Sequence, residues 1–373
     1  MSVIVTFLGK GGTGRTTLAI AAAHAYAQQG HRVLLLSQDS SPALGLAIGR
    51  DLGVDPVEIS PNLRVQSLKT THLLEQSWEQ LREMEQQYLR SPFFGSVYGQ
   101  ELGVLPGMDS ALALNYLREL SQEGRESVII YDGNSAPETL RMLAMPDILG
   151  WYARRFRQVF SNSDLGKTLL PFVQPVATAV LSVNWSDDVL QEPTQKATNL
   201  LDQGRAAVTD PQQVVSYLVT ASDPLAQATA RYLWGSAQQV GLTVGGVLWN
   251  RGVVTGEDLP CEAQQFAPLP VREVSAADRS GSTLQWDQLT SAIPDLHQAT
   301  QAPRALQVDE AAGQIRLFLP SFDKKQVKLT QYGPEITIEA GDQRRNIFLP
   351  PSLEGKGVTG AKFADAYLTI SFA

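Results

Sequence analysis

The sequence predicts an α/β protein: a parallel-sheet phosphate-loop core with helical insertions, followed by a C-terminal antiparallel β-sandwich. Three observations predict it. An apolar strand, Val3-Ile4-Val5-Thr6-Phe7-Leu8, runs through Gly9-Lys10-Gly11-Gly12-Thr13-Gly14-Arg15-Thr16-Thr17 into an alanine-rich helix over residues 18–28. Short β-branched runs then alternate with helical stretches, the pattern of a parallel sheet wrapped by helices. From Ala302 onward the pattern changes to short alternating runs separated by Gly, Asp and Pro turns, which specifies antiparallel strands with one buried face.

After the first strand, the turn at Gly30 leads into a second at residues 32–36, and residues 127–131 form a third that ends in Asp132. Runs at 214–219 and 244–249 supply two more, separated by a helix over 224–240. Ligands of such sheets sit at the carboxyl ends of the strands, where Gly9 to Thr17, Asp39, Asp132 and Asn250 all fall. Two stretches, at about 71–120 and 145–201, read as helical insertions, with Leu74, Trp78, Leu81, Met84 and Tyr88 at helical spacing in the first. Their apolar stripes are expected to be ordinary core for the most part. Phe93-Phe94 and residues 169–180 are the candidates for an adaptable apolar groove. Runs at 314–319, 326–329, 335–339, 345–349 and 367–372 form the terminal sandwich, so the expected domains are 1–302 and 303–373.

The chain has 373 residues, 43% apolar and 18% charged, enough to bury a large core. A net charge of −8 argues against a nucleic-acid partner. No run of about 18 apolar residues predicts a membrane span, and the start of the chain lacks a basic, cleavable leader, so a cytoplasmic protein is expected. The single cysteine, Cys261, excludes internal disulfides and a structural zinc site built from paired thiolates, and reads as an inert apolar residue. His31 and the other three histidines show no metal spacing.

The chemistry concentrates on the loop. Main-chain N–H groups of Gly11, Gly12, Thr13, Gly14, Arg15, Thr16 and Thr17, with the helix dipole behind them, are suited to a polyphosphate such as ATP or ADP. Thr16 stands where a hydroxyl meets Mg²⁺, and Asp132 where a strand-end carboxylate holds the metal or its water. Asp39 is balanced between orienting the attacking water and capping a turn. Arg15 stands at the usual lysine position and keeps its charge, in a longer planar group that can clamp two oxygens. Lys10 is either a solvated surface lysine or a charge given to nucleotide in a facing subunit.

The Lys-Gly-Gly-Thr-Gly-Arg-Thr-Thr loop, with its early lysine, resembles the deviant phosphate loop of the superfamily that contains MinD, ParA and the nitrogenase iron protein. Leu36-Ser37-Gln38-Asp39 followed by Pro42-Ala43 resembles the first switch of arsenical pump-driving ATPases and tail-anchored-protein targeting factors. Leu105-Pro106-Gly107-Met108-Asp109-Ser110-Ala111-Leu112 is similar to that family's segment written PGIDEA, and the segment from Asp132 to Leu143 to its second switch. Asn250-Arg251 matches the adenine-reading asparagine. The terminal segment around Ile336 to Ala340, Arg344 to Pro350 and Ala366 to Ile370 is similar to the α-crystallin core of small heat-shock proteins.

The resemblance implies a homodimer whose nucleotide sites meet at the interface. Lys10 then reaches the partner's phosphates, Thr16 holds Mg²⁺, Asp39 activates water, Asp132 couples nucleotide state to the insertions and Asn250 reads adenine. It further implies an ATPase that opens and closes an apolar groove around a hydrophobic client such as a transmembrane segment. Arg15, and the two serines between Asp39 and Pro42, point to slow hydrolysis. A nucleotide-gated holdase or scaffold is the alternative, with a ParA- or MinD-like positioning ATPase behind it. A metalloid site needs clustered thiolates, which one cysteine does not supply.

Overall fold

The chain passes from β1 (Val3–Gly9) through α1 (Arg15–Gln28), β2 (Val33–Ser37) and the short α2 (Ala43–Ile48) to a hairpin, β3 (Val57–Ser60) and β4 (Leu63–Ser67). Helices α3 (Thr70–Tyr88) and α4 (Met108–Glu123) precede β5 (Val128–Asp132), and α5 (Ala136–Asn162) and α6 (Glu192–Thr209) follow it. Then come β6 (Val214–Thr220), α7 (Pro224–Val240), β7 (Thr243–Asn250) and β8 (Val271–Val274). The eight strands form one sheet in the order β3-β4-β2-β5-β1-β6-β7-β8, parallel throughout except for the β3–β4 pair. Strand order reverses about β1, with β5 and β2 added on one side and β6 and β7 on the other. A crevice therefore opens at its carboxyl end. This computed structural model describes residues 2–39, 41–88, 107–162, 192–252, 261–277, 279–280 and 283–373.

Sequence chemistry explains why the sheet is covered on both faces. Its central strands are near-continuous apolar runs, as parallel strands buried on two sides require. Helix α1 buries Leu18 to Ala23 and Ala25 to Ala27. Its alanines let the helix lie close to the sheet, while Leu18, Ile20 and Tyr26 fill the space between. Each such large side chain contributes about 1.5–3 kcal/mol on burial. The opposite face is covered by α4, α5 and α7 through Leu112, Leu117, Leu140, Leu143, Leu233 and Trp234. A short pair, β9 (Arg279–Ser280) and β10 (Thr283–Leu284), leads to the one-turn α8 (Asp287–Thr290), beside which the Pro294 carbonyl accepts the Tyr26 hydroxyl at 3.1 Å.

Beyond residue 305 the structure is antiparallel. Strands β11 (Leu306–Asp309) and β12 (Gln314–Phe318) join β16 (Val358–Ala364) and β17 (Tyr367–Phe372) in the order β11-β12-β17-β16. Strands β13 (Val327–Tyr332), β14 (Glu335–Ala340) and β15 (Gln343–Phe348) make a second sheet. Ile315, Leu317, Leu368 and Ile370 of the first pack with Ile336 and Ile338 of the second in one core.

Several elements differ from the sequence expectation. Helix α1 begins at Arg15, inside the loop itself, rather than at residue 18. Helix α5 opens at Ala136 and runs through Pro146, so the second helical stretch starts before residue 145. Strands β3, β4, β8, β11 and β16 were not expected. They are short, or carry charged and small residues, because they lie on or near sheet edges where one face meets water. In α3, Leu74 and Trp78 are buried as the spacing predicts. Residues 89–106, with Phe93-Phe94, and 163–191, with the 169–180 stretch, lie outside the described residues. Among the described residues no helix is long and apolar enough to cross a membrane.

The terminal sheets dock on α5 and α7. Trp234 of α7 meets Phe318 edge-on at 5.5 Å between ring centroids. Arg345 of β15 donates to the Gln238 carbonyl at 3.0 Å, and Arg141 of α5 donates to Asp342 at 2.5 Å. Gly235 is the point of closest approach: a Cβ there would lie 2.4 Å from the Pro320 carbonyl oxygen and 2.5 Å from the Phe322 ring. Gly235→Ala must therefore push the terminal sheet off α7, and should lower stability to urea by about 1–3 kcal/mol. An unchanged denaturation midpoint would show that the contact is not close-packed.

Candidate nucleotide site

The loop after β1 owes its path to glycine. Gly12 and Gly14 have φ of 83° and 93°, a left-handed backbone that costs other residues energy. A Cβ on Gly9 would lie 2.4 Å from the Val219 carbonyl oxygen, and one on Gly14 would lie 2.4 Å from Asn250 Nδ2. At Gly11 and Gly12 a Cβ would meet nothing within 4 Å, so the loop faces open space. Thr13 Oγ1 closes the loop by donating to the Lys10 carbonyl at 2.8 Å. Helix α1 has no side-chain cap at its N-terminus, which leaves its first N–H groups and its dipole directed at the crevice. This is the chemistry of a phosphate cradle.

Asp132 ends β5 beside the loop and is 4% exposed. Its Oδ2 accepts from Thr16 Oγ1 at 2.9 Å and from Ser37 Oγ at 3.2 Å. Burial pushes its carboxyl up from the usual range, against the Thr16 hydrogen bond, the Arg15 charge and the Ser37 hydrogen bond, while Asp39 raises it further. A hydroxyl and a carboxylate are hard oxygen donors suited to Mg²⁺, which typically takes one or two protein ligands plus phosphate and water oxygens. Among the described residues no group of three or more His, Cys, Asp or Glu is placed to hold a metal ion. Thr16 and Asp132 thus fit the ion that the sequence assigned them.

Arg15 is placed by the structure on the loop following β5. Its Nη1 donates to the Gly133 carbonyl at 3.2 Å and its Nη2 to the Asn134 carbonyl at 3.0 Å. A lysine has no planar fork to span two successive carbonyls in this way. Gly133 is itself pinned, since a Cβ there would lie 2.3 Å from Thr139 Oγ1 of α5. Arg15 therefore links the phosphate loop to the entry of α5.

The remaining expected site residues are close by and already partnered. Asn250 Nδ2 donates to the Thr13 carbonyl at 3.0 Å, and its Oδ1 accepts from Gly252 N, so its amide braces the loop backbone. Lys10 lies 3.7 Å from Asp223 of the same chain and keeps 41% of its side chain exposed. Asp39 accepts from the Ser41 amide and hydroxyl, both at 2.9 Å, the geometry of a turn cap. It is exposed at the crevice and near enough to Asp132 to act on its charge.

Three participants escaped the sequence reading. Ser37 is a lone hydroxyl closing an apolar strand, a polarity break that could have marked it. Gln38 accepts the Tyr131 hydroxyl on its side-chain Oε1 and donates its main-chain N–H to the Asp132 carbonyl, tying the end of β2 to β5. Asp223 caps α7 through Leu225 N, and an Asp before Pro224 at a helix start carries that signal. Its contact with Lys10 is visible only in three dimensions.

A loop of this geometry at the switch point of a parallel sheet, with hydroxyl and carboxylate oxygens beside it, defines a phosphate-loop nucleotide protein. The model of the anion-transporting ATPase family matches residues 2–266, and that of the HSP20-like domain found in ArsA matches residues 311–372. The chain belongs to the anion-transporting ATPase family and carries that terminal domain. It is 24% identical to a putative arsenical pump-driving ATPase of Chlorobaculum tepidum over 392 residues, covering 99% of this chain and 95% of the relative. An ATPase ASNA1 homolog of Babesia bovis is 34% identical over 143 residues, 38% of each chain. An ATPase GET3 of Malassezia globosa is 29% identical over 169 residues, 44% of this chain and 47% of the relative.

The environment of Asp132 gives a pH signature. Its folded carboxyl holds its proton to higher pH than an unfolded one, so the native state gains nothing below the ordinary carboxylate range and loses stability as pH rises through the raised value. Asp132→Asn should raise the urea midpoint of the nucleotide-free protein at pH 8, with the gain shrinking as pH falls toward about 4. A variant less stable than wild type at pH 8 would contradict the desolvation account.

Proposed function

We propose that the chain is an ATP-driven switch in which phosphate occupancy of the loop after β1 is transmitted to α5 by Asp132 and Arg15. The carrying observation is that one buried carboxylate accepts from both Thr16 and Ser37, while Arg15 holds the carbonyls just beyond it. The loop amides and the α1 dipole bind the phosphates of ATP. Mg²⁺, held by Thr16 and Asp132, would neutralise charge on the transferred phosphoryl group. Asp39, once released from Ser41, orients the attacking water. Arg15 exchanges its carbonyl partners for phosphate oxygens, and the Gly133–Asn134 segment moves as it does so. Loss of phosphate restores the carbonyl contacts and resets α5.

The same geometry supports slow turnover. Arg15 must leave two carbonyls and Asp39 must leave a capped turn before either reaches substrate. If those departures are never completed, the protein is a nucleotide-gated holdase or scaffold instead. We assign a homodimer, with Lys10 leaving Asp223 to meet phosphates of the facing subunit, and a cytoplasmic location. The client is apolar. Helices α4, α5 and α6 enclose a cavity of about 310 Å³ walled by Leu114, Leu117, Leu143, Met145, Leu149 and Leu201. Partial similarity to GET3 and ASNA1 ATPases favours a transmembrane segment of a tail-anchored protein as that client. Cys261, the sole thiol, is pushed up to about 11 by burial and offers no thiolate cluster for a metalloid.

Single-turnover hydrolysis of radiolabelled ATP should show phosphate release by wild type on the order of 10²-fold faster than by Asp39→Asn. Sedimentation with magnesium and a non-hydrolysable ATP analogue should give a dimer that Lys10→Ala weakens. Equal release at the uncatalysed rate by both proteins would replace the hydrolytic reading with the holdase.

A further inference from the structure

Strand β2 ends at Ser37, and the main-chain N–H of Gln38 still bonds the Asp132 carbonyl at 3.0 Å. Asp39 is the first residue past that bond, and two serines hold it by different parts. Ser41 donates its amide and its hydroxyl to the two carboxylate oxygens, both at 2.9 Å. Ser37 takes the main chain: its Oγ accepts the Asp39 N–H at 3.3 Å. The Asp39 side chain can therefore leave Ser41 while its backbone stays on Ser37.

The Ser37 hydroxyl is fixed at its other end too. Ser37 stands directly opposite Asp132 in the β2–β5 register and is fully buried. A hydroxyl has one proton to give, and a main-chain N–H can only donate to it. Its lone pair thus meets Asp39, and its proton goes to Asp132 Oδ2 at 3.2 Å. The same Oδ2 accepts Thr16 of the phosphate loop at 2.9 Å. One line of contacts runs from Thr16 through Asp132 and Ser37 to the Asp39 backbone. The ladder orders the strand end as far as Gln38, and Ser37 Oγ carries that order one residue further into the crevice.

We propose that Ser37 is a positioning residue for Asp39, setting its backbone at the distance from the phosphate loop that Asp132 and Thr16 define. The inference rests on the reading of Asp39 as the group that orients the attacking water. Ser37 touches no reacting atom and acts only through Asp39. The distance matters because a misplacement of about 1 Å in such a group costs up to roughly 10²-fold in rate.

Two measurements test this on the full chain. In nucleotide-free protein, amide exchange at Asp39 should be about fivefold faster in Ser37→Ala than in wild type. Single-turnover phosphate release from radiolabelled ATP should be about tenfold slower in Ser37→Ala, with affinity for a non-hydrolysable ATP analogue within about twofold of wild type. In the Asp39→Asn protein the same Ser37→Ala change should slow release no further, because the group it positions has already lost its function. Ser37→Cys fills nearly the same space with a weak donor and acceptor, and should repeat both effects if Ser37→Ala does not fold. Unaltered exchange at Asp39 overturns the proposal. So does a loss of the same size that persists in Asp39→Asn, which assigns the effect of Ser37 to Asp132 alone. If Asp39→Asn itself matches wild type, the hydrolytic reading fails and the inference falls with it. If Asp39→Asn is slow and Ser37→Ala is not, only the inference fails.

Discussion

A carboxylate buried at the end of a central strand is the constraint around which this site is built. Asp132 gives up most of its hydration, and hydrogen bonds from Thr16 and Ser37 with the nearby Arg15 charge offset only part of that loss. Its three neighbours come from the phosphate loop and from β2. The phosphate loop, the end of β2 and the exit of β5 toward α5 are therefore in direct hydrogen-bonded contact. A carboxylate kept in this condition would gain from a divalent cation beside it.

From Asp132 the structure continues outward through packed elements rather than through a loose linker. Gly133 lies against Thr139, and Arg15 holds the intervening carbonyls. Two residues further along α5, Arg141 meets Asp342 in the turn between β14 and β15. Arg344 of that strand lies over the Trp151 ring at 5.4 Å. The exposed Arg141–Asp342 pair is worth little by itself. Its value is positional, because the close-packed seam at Gly235 and the buried Arg345 fix the terminal sheets against the same helical layer. The HSP20-like domain thus rests on the helix that leaves the nucleotide site.

Much of this was legible in the residues. The glycine-rich turn between an apolar strand and an alanine-rich helix announced the loop, because few other sequences satisfy that backbone path. Strands β1, β2, β5, β6 and β7 were readable as apolar runs for the same reason that they are central. The edge strands β3, β8 and β16 were not, since a strand with one wet side need not look like one. At the site, the positions of Thr16, Asp132 and Asn250 followed from strand ends, but their partners did not. That Arg15 spans two carbonyls of a segment more than a hundred residues away, that Asn250 braces the loop, and that Lys10 pairs with Asp223 are properties of the folded surface. Ser37 illustrates the middle ground: its polarity stood out, while its target did not.

The central claim is that nucleotide in the phosphate loop is sensed by the segment between β5 and α5. Hydrogen–deuterium exchange of residues 133–145, with and without magnesium and a non-hydrolysable ATP analogue, tests it most directly. The account predicts that analogue binding changes protection at 133–139 and at the Arg141–Asp342 contact, and that Asp132→Asn uncouples this change from binding. Saturating analogue that leaves exchange in 133–145 unaltered would contradict it.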